Sequence, residues 1–100
     1  METYIIHSEM TEKGLAEIAN IPLVAEEIGK KLKEQGGELK GFYKTMGVID
    51  YVAIIEAPND KIALAAVMAF ALTGYFNGTT LKAFTMQQMK ESLEITKKFK

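Results

Sequence analysis

The segment Gly41–Asp60, GFYKTMGVIDYVAIIEAPND, constrains the fold more than any other part of the chain. Two runs rich in β-branched and aromatic residues, Leu39–Met46 and Ile49–Ala57, meet around Gly47. Such runs read as paired strands, and glycine supplies the positive φ that a tight connection needs. Pro58-Asn59-Asp60 ends the second run and offers Asn59 or Asp60 as a helix N-cap. The second run also has an unusual composition. Tyr51, Ala53 and Ile55 alternate with Asp50, Val52, Ile54 and Glu56, so both of its faces are substantially apolar. A strand of that kind calls for burial on both sides.

The flanking segments complete the pattern. Thr3–Met10 reads as a first strand, and Thr11 can cap a short helical turn before Gly14. Leu15, Ile18, Ile21, Ala25, Ile28 and Leu32 recur at helical spacing. Pro22 suits a first helical turn, which places a main helix over about Ile21 to Gln35, with Asn20 as N-cap and Gly36-Gly37 as its stop. A second helix follows Asp60 to about Thr73 and closes at Gly74. Phe76–Phe84 reads as a fourth strand, with Asn77-Gly78 predicting a bulge or bend. Met86, Met89 and Leu93 mark a short amphipathic C-terminal helix, with Lys97, Lys98 and Lys100 at its negative end.

The order is therefore βαββαβ plus a terminal helix. Right-handed crossovers interlock its two halves into an α+β, ferredoxin-like domain over residues 1–100. Its sheet is four-stranded and antiparallel, in the order 4-1-3-2, with two helices on one face. The other face is left bare. Alternation along the fourth strand assigns Leu81 and Ala83 to the helix side and Thr80, Lys82 and Phe84 to the opposite side. A bare apolar face larger than monomers usually expose predicts self-association, most simply a two-fold homodimer with sheets facing each other. Ile62–Leu72 is apolar all round. It is either a second contact surface or a run of small helix formers at the surface.

Composition narrows the partners. All twelve basic residues are lysine, and net charge is −1. Without arginine the chain lacks the planar two-pronged donor suited to phosphates and guanine edges, so nucleic acid is not an expected partner. The absence of cysteine excludes disulfides, thiolate metal sites and cysteine nucleophiles. The longest apolar run, Ile62–Leu72, is too short to span a bilayer, and Met1 leads directly into a strand-like TYIIHSEM. The expectation is a cytoplasmic protein without a membrane partner or cofactor.

Gly47-Val48-Ile49-Asp50, the apolar strand after it, and Glu56-Ala57-Pro58-Asn59-Asp60 together resemble the GYD domain family. The likeness runs from about Tyr4 to Thr85. It takes in Thr11/Gly14, Gly36-Gly37, Phe42-Tyr43, Thr45, Gly74 and Thr79-Thr80-Leu81-Lys82-Ala83-Phe84. The resemblance implies a dimeric α/β barrel, in which two ferredoxin-like chains pair their sheets around a pocket, and it implies no particular reaction. Ile49 stands where the family's tyrosine is usual. Leu23-Val24 and Asn77 stand where basic residues are common, so an anion site of that kind would here either be lost or fall to Lys82.

Four residues are candidates for ligand binding: His7, Tyr43, Asp50 and Lys82. Asp50 could act as a pocket base or ligand acceptor, or could hold the Gly47 turn by accepting backbone N–H bonds. His7 is the only histidine and shares a strand face with Glu9. With Asp50 or Glu56 it could form part of a metal site, but a lone imidazole more commonly lines a pocket, and no metal is expected. Tyr43 and Lys82 could orient a carbonyl or carboxylate in an apolar cavity, or sit at a sheet edge. Neither a nucleophile elbow nor a phosphate loop occurs. These features favour a homo-oligomer that binds a small, partly apolar molecule between paired sheets. The alternatives are a cofactor-free barrel enzyme (oxygenase, isomerase or decarboxylase) using His7 or Asp50, and a structural oligomer with a filled barrel.

Overall fold

The computed structural model describes all residues, Met1–Lys100. Strand β1 (Glu2–Met10) leads into a short helix α1 (Glu12–Ala16), a 3-10 turn (Ile18–Asn20) and helix α2 (Ile21–Glu34). Strands β2 (Glu38–Lys44) and β3 (Tyr51–Ala57), helix α3 (Asp60–Leu72), strand β4 (Phe76–Ala83) and helix α4 (Met86–Thr96) follow. The four strands form one antiparallel sheet in the order β2-β3-β1-β4, the ferredoxin-like arrangement read from the sequence.

Local chemistry explains most boundaries. The Thr11 hydroxyl accepts from the Gly14 amide at 3.0 Å and donates to the Gly74 carbonyl at 2.6 Å, capping α1 and pinning it to the turn before β4. Asn59 caps α3 by accepting from the Ile62 amide at 3.0 Å. Asn20 does not cap α2; its amide instead donates to the Tyr75 hydroxyl at 3.3 Å. Gly36 ends α2 at φ 86° and Gly74 follows α3 at φ 77°, both left-handed positions that favour glycine.

The helix side of the sheet carries the core. Tyr4 and Ile6 of β1 and Ala53, Ile55 and Ala57 of β3 pack against Leu32 of α2 and Ala63 and Ala66 of α3. A second cluster joins Ile21, Ala25, Tyr51, Phe70, Tyr75 and Phe76. Phe42 lies between the two, with its ring centroid 5.7 Å from Phe70 and 5.4 Å from Tyr51. Each such aromatic pair adds about 0.5–1.5 kcal/mol beyond simple burial.

Three expectations need correction. The Gly47 connection is a six-residue loop, Thr45–Asp50, because the strands stop at Lys44 and start at Tyr51. Gly47 does have a positive φ, 123°. The irregularity expected at Asn77-Gly78 lies instead in β2, where pairing with β3 shifts between Leu39 and Gly41 and Lys40 is the extra residue. Third, Leu81 and Ala83 are on the open face and not the helix side. They stand opposite Ile5 and Thr3, while Thr80 and Lys82 stand opposite the helix-facing Ile6 and Tyr4. Phase along an edge strand cannot be read from polarity when neither phase is fully covered, and β4 from Asn77 to Lys82 is exposed throughout.

Candidate functional site

Strand register defines the open face row by row, because directly paired residues share a side. Its central row runs Tyr43, Val52, His7, Thr79. The next is Gly41, Ile54, Ile5, Leu81, and the last is Glu38, Glu56, Thr3, Ala83. Val52, Ile54, Ile5 and His7 are half-buried, and no helix of this chain covers them. The Tyr43 ring folds back over Gly41; a Cβ there would come within 2.6 Å of it. Tyr43 and His7 flank Val52 from neighbouring strands, so their backbones stand roughly 10 Å apart. That spacing places a phenol and an imidazole on either side of Val52.

Asp50 is separate from this pair. One carboxylate oxygen accepts from the Met10 amide at 2.8 Å, and the other lies 3.8 Å from the Lys44 ammonium. The Asp50 amide donates to the Ser8 carbonyl at 3.0 Å. Asp50 therefore clamps the end of β1. It is a structural holder, but not of its own turn, whose closure falls to Thr45. The Thr45 amide donates to the Asp50 carbonyl at 2.8 Å, and the Thr45 hydroxyl donates to the Ile49 carbonyl.

Lys82 lies on the helix side, at the opposite end of the sheet. Its ammonium donates to Asp60 at 2.8 Å and stands 3.7 Å from Glu2. The Tyr4 hydroxyl donates to the same Asp60 oxygen at 2.5 Å. This cluster is not visible along the sequence, where Asp60 reads only as a helix start. Its signal is the cross-strand pairing of Tyr4 with Lys82 beside the first residue of α3.

The bonds from Lys82 and Tyr4 hold the Asp60 carboxyl below the usual aspartate range. Burial, then the Asp60 bond, pushes the Tyr4 phenol up to about 12. A depressed carboxyl stabilises the fold above its unfolded pKa, about 3.9, and loses that contribution as pH falls through the folded value. The raised phenol acts at the other end, since the unfolded chain ionises near pH 10 before the folded one does. Asp60→Asn is thus expected to lower the urea midpoint at pH 7, with the gap to the parent narrowing by pH 3. A gap that persists undiminished at pH 3 would contradict the carboxylate's role.

The largest hollow lies on the helix side, beside edge strand β2. It measures about 530 Å³ and is lined by Ile18, Ile21, Pro22, Ala25, Glu26, Leu39, Phe42, Lys44 and Tyr51. The Lys44 ammonium stands 5.1 Å over the Tyr51 ring and donates to the Thr45 carbonyl at 2.8 Å. None of the four expected site residues is on its wall. No group of three or more His, Asp or Glu residues is placed to hold a metal ion, and His7 has Val52 and Thr79 as cross-strand neighbours. No helix is long and apolar enough to cross a membrane.

The sequence profile of the GYD domain matches residues 4–93, nearly the whole chain. The chain belongs to the GYD domain family. No curated protein matched it. Among solved structures, the fold is similar to that in the crystal structure of MtbAldR (Rv2779c), at a TM-score of 0.62 and 14% identity. That match covers 84% of this chain and 52% of the other, so the GYD chain spans about half the length of that protein. At such identity the likeness is one of fold.

The family departures can now be placed. Ile49 lies in the loop and contributes its carbonyl to the Thr45 bond. Leu23 is exposed on α2, and Asn77 pairs with Glu9 at the edge of the open face. Lys82 does not replace a missing cation on that face, because it is bonded to Asp60 on the other side.

Proposed function

We propose that this GYD protein is a homodimer that binds a small, partly apolar molecule between two facing sheets. The observation that carries the reading is the central row of the open face. Tyr43 and His7 bracket Val52, beside the apolar row of Ile54, Ile5 and Leu81, on a face that no helix of the same chain covers. Two such faces, brought together by a two-fold axis, would bury the apolar rows and leave the phenol and imidazole as the polar groups that orient a ligand. A catalytic reading has less support. A histidine base is commonly oriented by a carboxylate, and Asp50 is engaged with Met10 at the end of the strand.

Native mass spectrometry of freshly purified protein tests this reading. The expected spectrum is a dimer carrying an additional small mass. His7→Ala combined with Tyr43→Phe is expected to lose that mass and keep the dimer. A dimer with no added mass would favour a filled, purely structural barrel, and a mass retained by the double variant would remove the open face as the site.

A further inference from the structure

Ser8 is the only polar residue buried in the fold apart from the core tyrosines, and it is 8% exposed. Its carbonyl accepts from the Asp50 amide at 3.0 Å, but its hydroxyl has no hydrogen-bond partner in the chain. Folded proteins pair nearly all such groups, because an unpaired one loses its hydration for nothing. Every fully sealed side-chain nitrogen and oxygen here is paired, so the Ser8 hydroxyl is not sealed; it opens into a hollow.

That hollow measures about 80 Å³ and lies between α3 and the helix side of the sheet. Phe42, Phe70 and Phe76 surround it, with ring centroids 5.7, 6.2 and 5.8 Å apart. Val67 and Ala71 of α3 close it from above. Gly78 forms the mouth: it stands directly opposite Ser8 on edge strand β4 and is exposed, as is Ala71.

The glycine is not there for its backbone. Positive φ occurs at Gly36, Gly47 and Gly74 only, and pairing of β4 with β1 runs through Gly78 without a shift. With no bulge and no left-handed turn, the remaining common reason for glycine inside a strand is close approach of another group. A Cβ here would stand 3.5 Å from the Ile6 side chain and 3.6 Å from the Ser8 Cβ, on the way to the hydroxyl.

We propose that the hollow is a binding site for a small neutral molecule that carries one hydroxyl or carbonyl group, bonded to the Ser8 hydroxyl. No charged side chain is on the wall, so an ion would be stripped of water without compensation. A buried water commonly makes about three hydrogen bonds, and this wall offers a single side-chain partner. An apolar cavity of about 150 Å³ holds benzene, so roughly half that volume suits a body of about three or four carbons. The site is on the other side of the sheet from His7 and Tyr43 and is complete within one chain, so it does not depend on sheet pairing.

The test follows amide shifts of isotope-labelled protein titrated with n-propanol, and with propionate as a charged analogue of similar size. The expected result is saturable shifts around Ser8, Gly78 and Val67–Ala71 with n-propanol, and none there with propionate. Ser8→Ala keeps the carbonyl bond to Asp50 and removes only the hydroxyl; it should weaken n-propanol about fivefold. Gly78→Ala meets its neighbours at ordinary contact distances, so it should fold as the parent does and lose saturation at the site. Shifts that grow linearly without saturating, or that are unchanged in both variants, would overturn the site. Saturation by propionate at the same residues would overturn the neutral occupant. Saturable shifts confined to Tyr43 and Val52 would move binding to the open face and overturn this hollow while leaving that face in place.

Discussion

Replacing Gly14 by alanine is expected to lower the melting temperature by roughly 10 °C or more. A Cβ at this position would lie 2.4 Å from the Tyr75 carbonyl oxygen, a backbone atom that cannot step aside. The backbone around it is held from both sides. The Thr11 amide donates to that same Tyr75 carbonyl at 2.9 Å, and the Thr11 hydroxyl donates to Gly74 at 2.6 Å. Relieving the clash means moving α1 away from the start of β4 and giving up both bonds. Overpacking of this sort costs about 1–3 kcal/mol, and two strained hydrogen bonds add about 1 kcal/mol each. Thermal denaturation followed by circular dichroism measures it. An unchanged transition would mean that α1 does not sit against Tyr75 as described.

Asp50→Ala is expected to cost about 1–3 kcal/mol, which for a domain of this size is a fall of roughly 5–15 °C. The substitution leaves the Met10 amide without its acceptor at the end of a strand and removes the charge beside Lys44. Asp50→Asn separates the two contributions, because its amide oxygen can still accept from Met10. It should recover most of the loss. If Asp50→Ala melts with the parent, the carboxylate is not a clamp and a ligand role becomes the better account.

The fold was legible because its signals are local and repeated. Thr11, Asn59 and the glycines at 36 and 74 punctuate the chain at the right places, and the apolar periods between them leave little choice of topology. The candidate site was legible only in part. His7 and Tyr43 meet on one face because alternation along β1 and β2 is firm wherever one side is buried, as at Ile6 and Phe42. Lys82 was misplaced because β4 is an edge strand whose exposed residues leave no burial contrast to set its phase.

The partner of Asp50 was misassigned for a different reason. Asx side chains bond locally in most turns, and nothing in the sequence states that β1 ends within reach of this carboxylate. The Tyr4, Asp60 and Lys82 cluster depends on register between strands that are 75 or more residues apart in sequence at their paired ends, Thr3 with Ala83 and Tyr4 with Lys82. Such pairing is a property of the assembled sheet.

The open face is proposed as an interface between two copies. Sedimentation velocity at micromolar concentration, comparing the parent with Ile54→Lys, tests it most directly. Ile54 is half-buried beside Ile5 and Gly41 on the open face and takes no part in the helix-side core. A lysine there leaves the fold intact and sets two unpaired charges into the facing sheets, at a cost of several kcal/mol each. A dimer is expected for the parent and a folded monomer for the variant. A monomeric parent, or a variant that remains as dimeric as the parent, would contradict it.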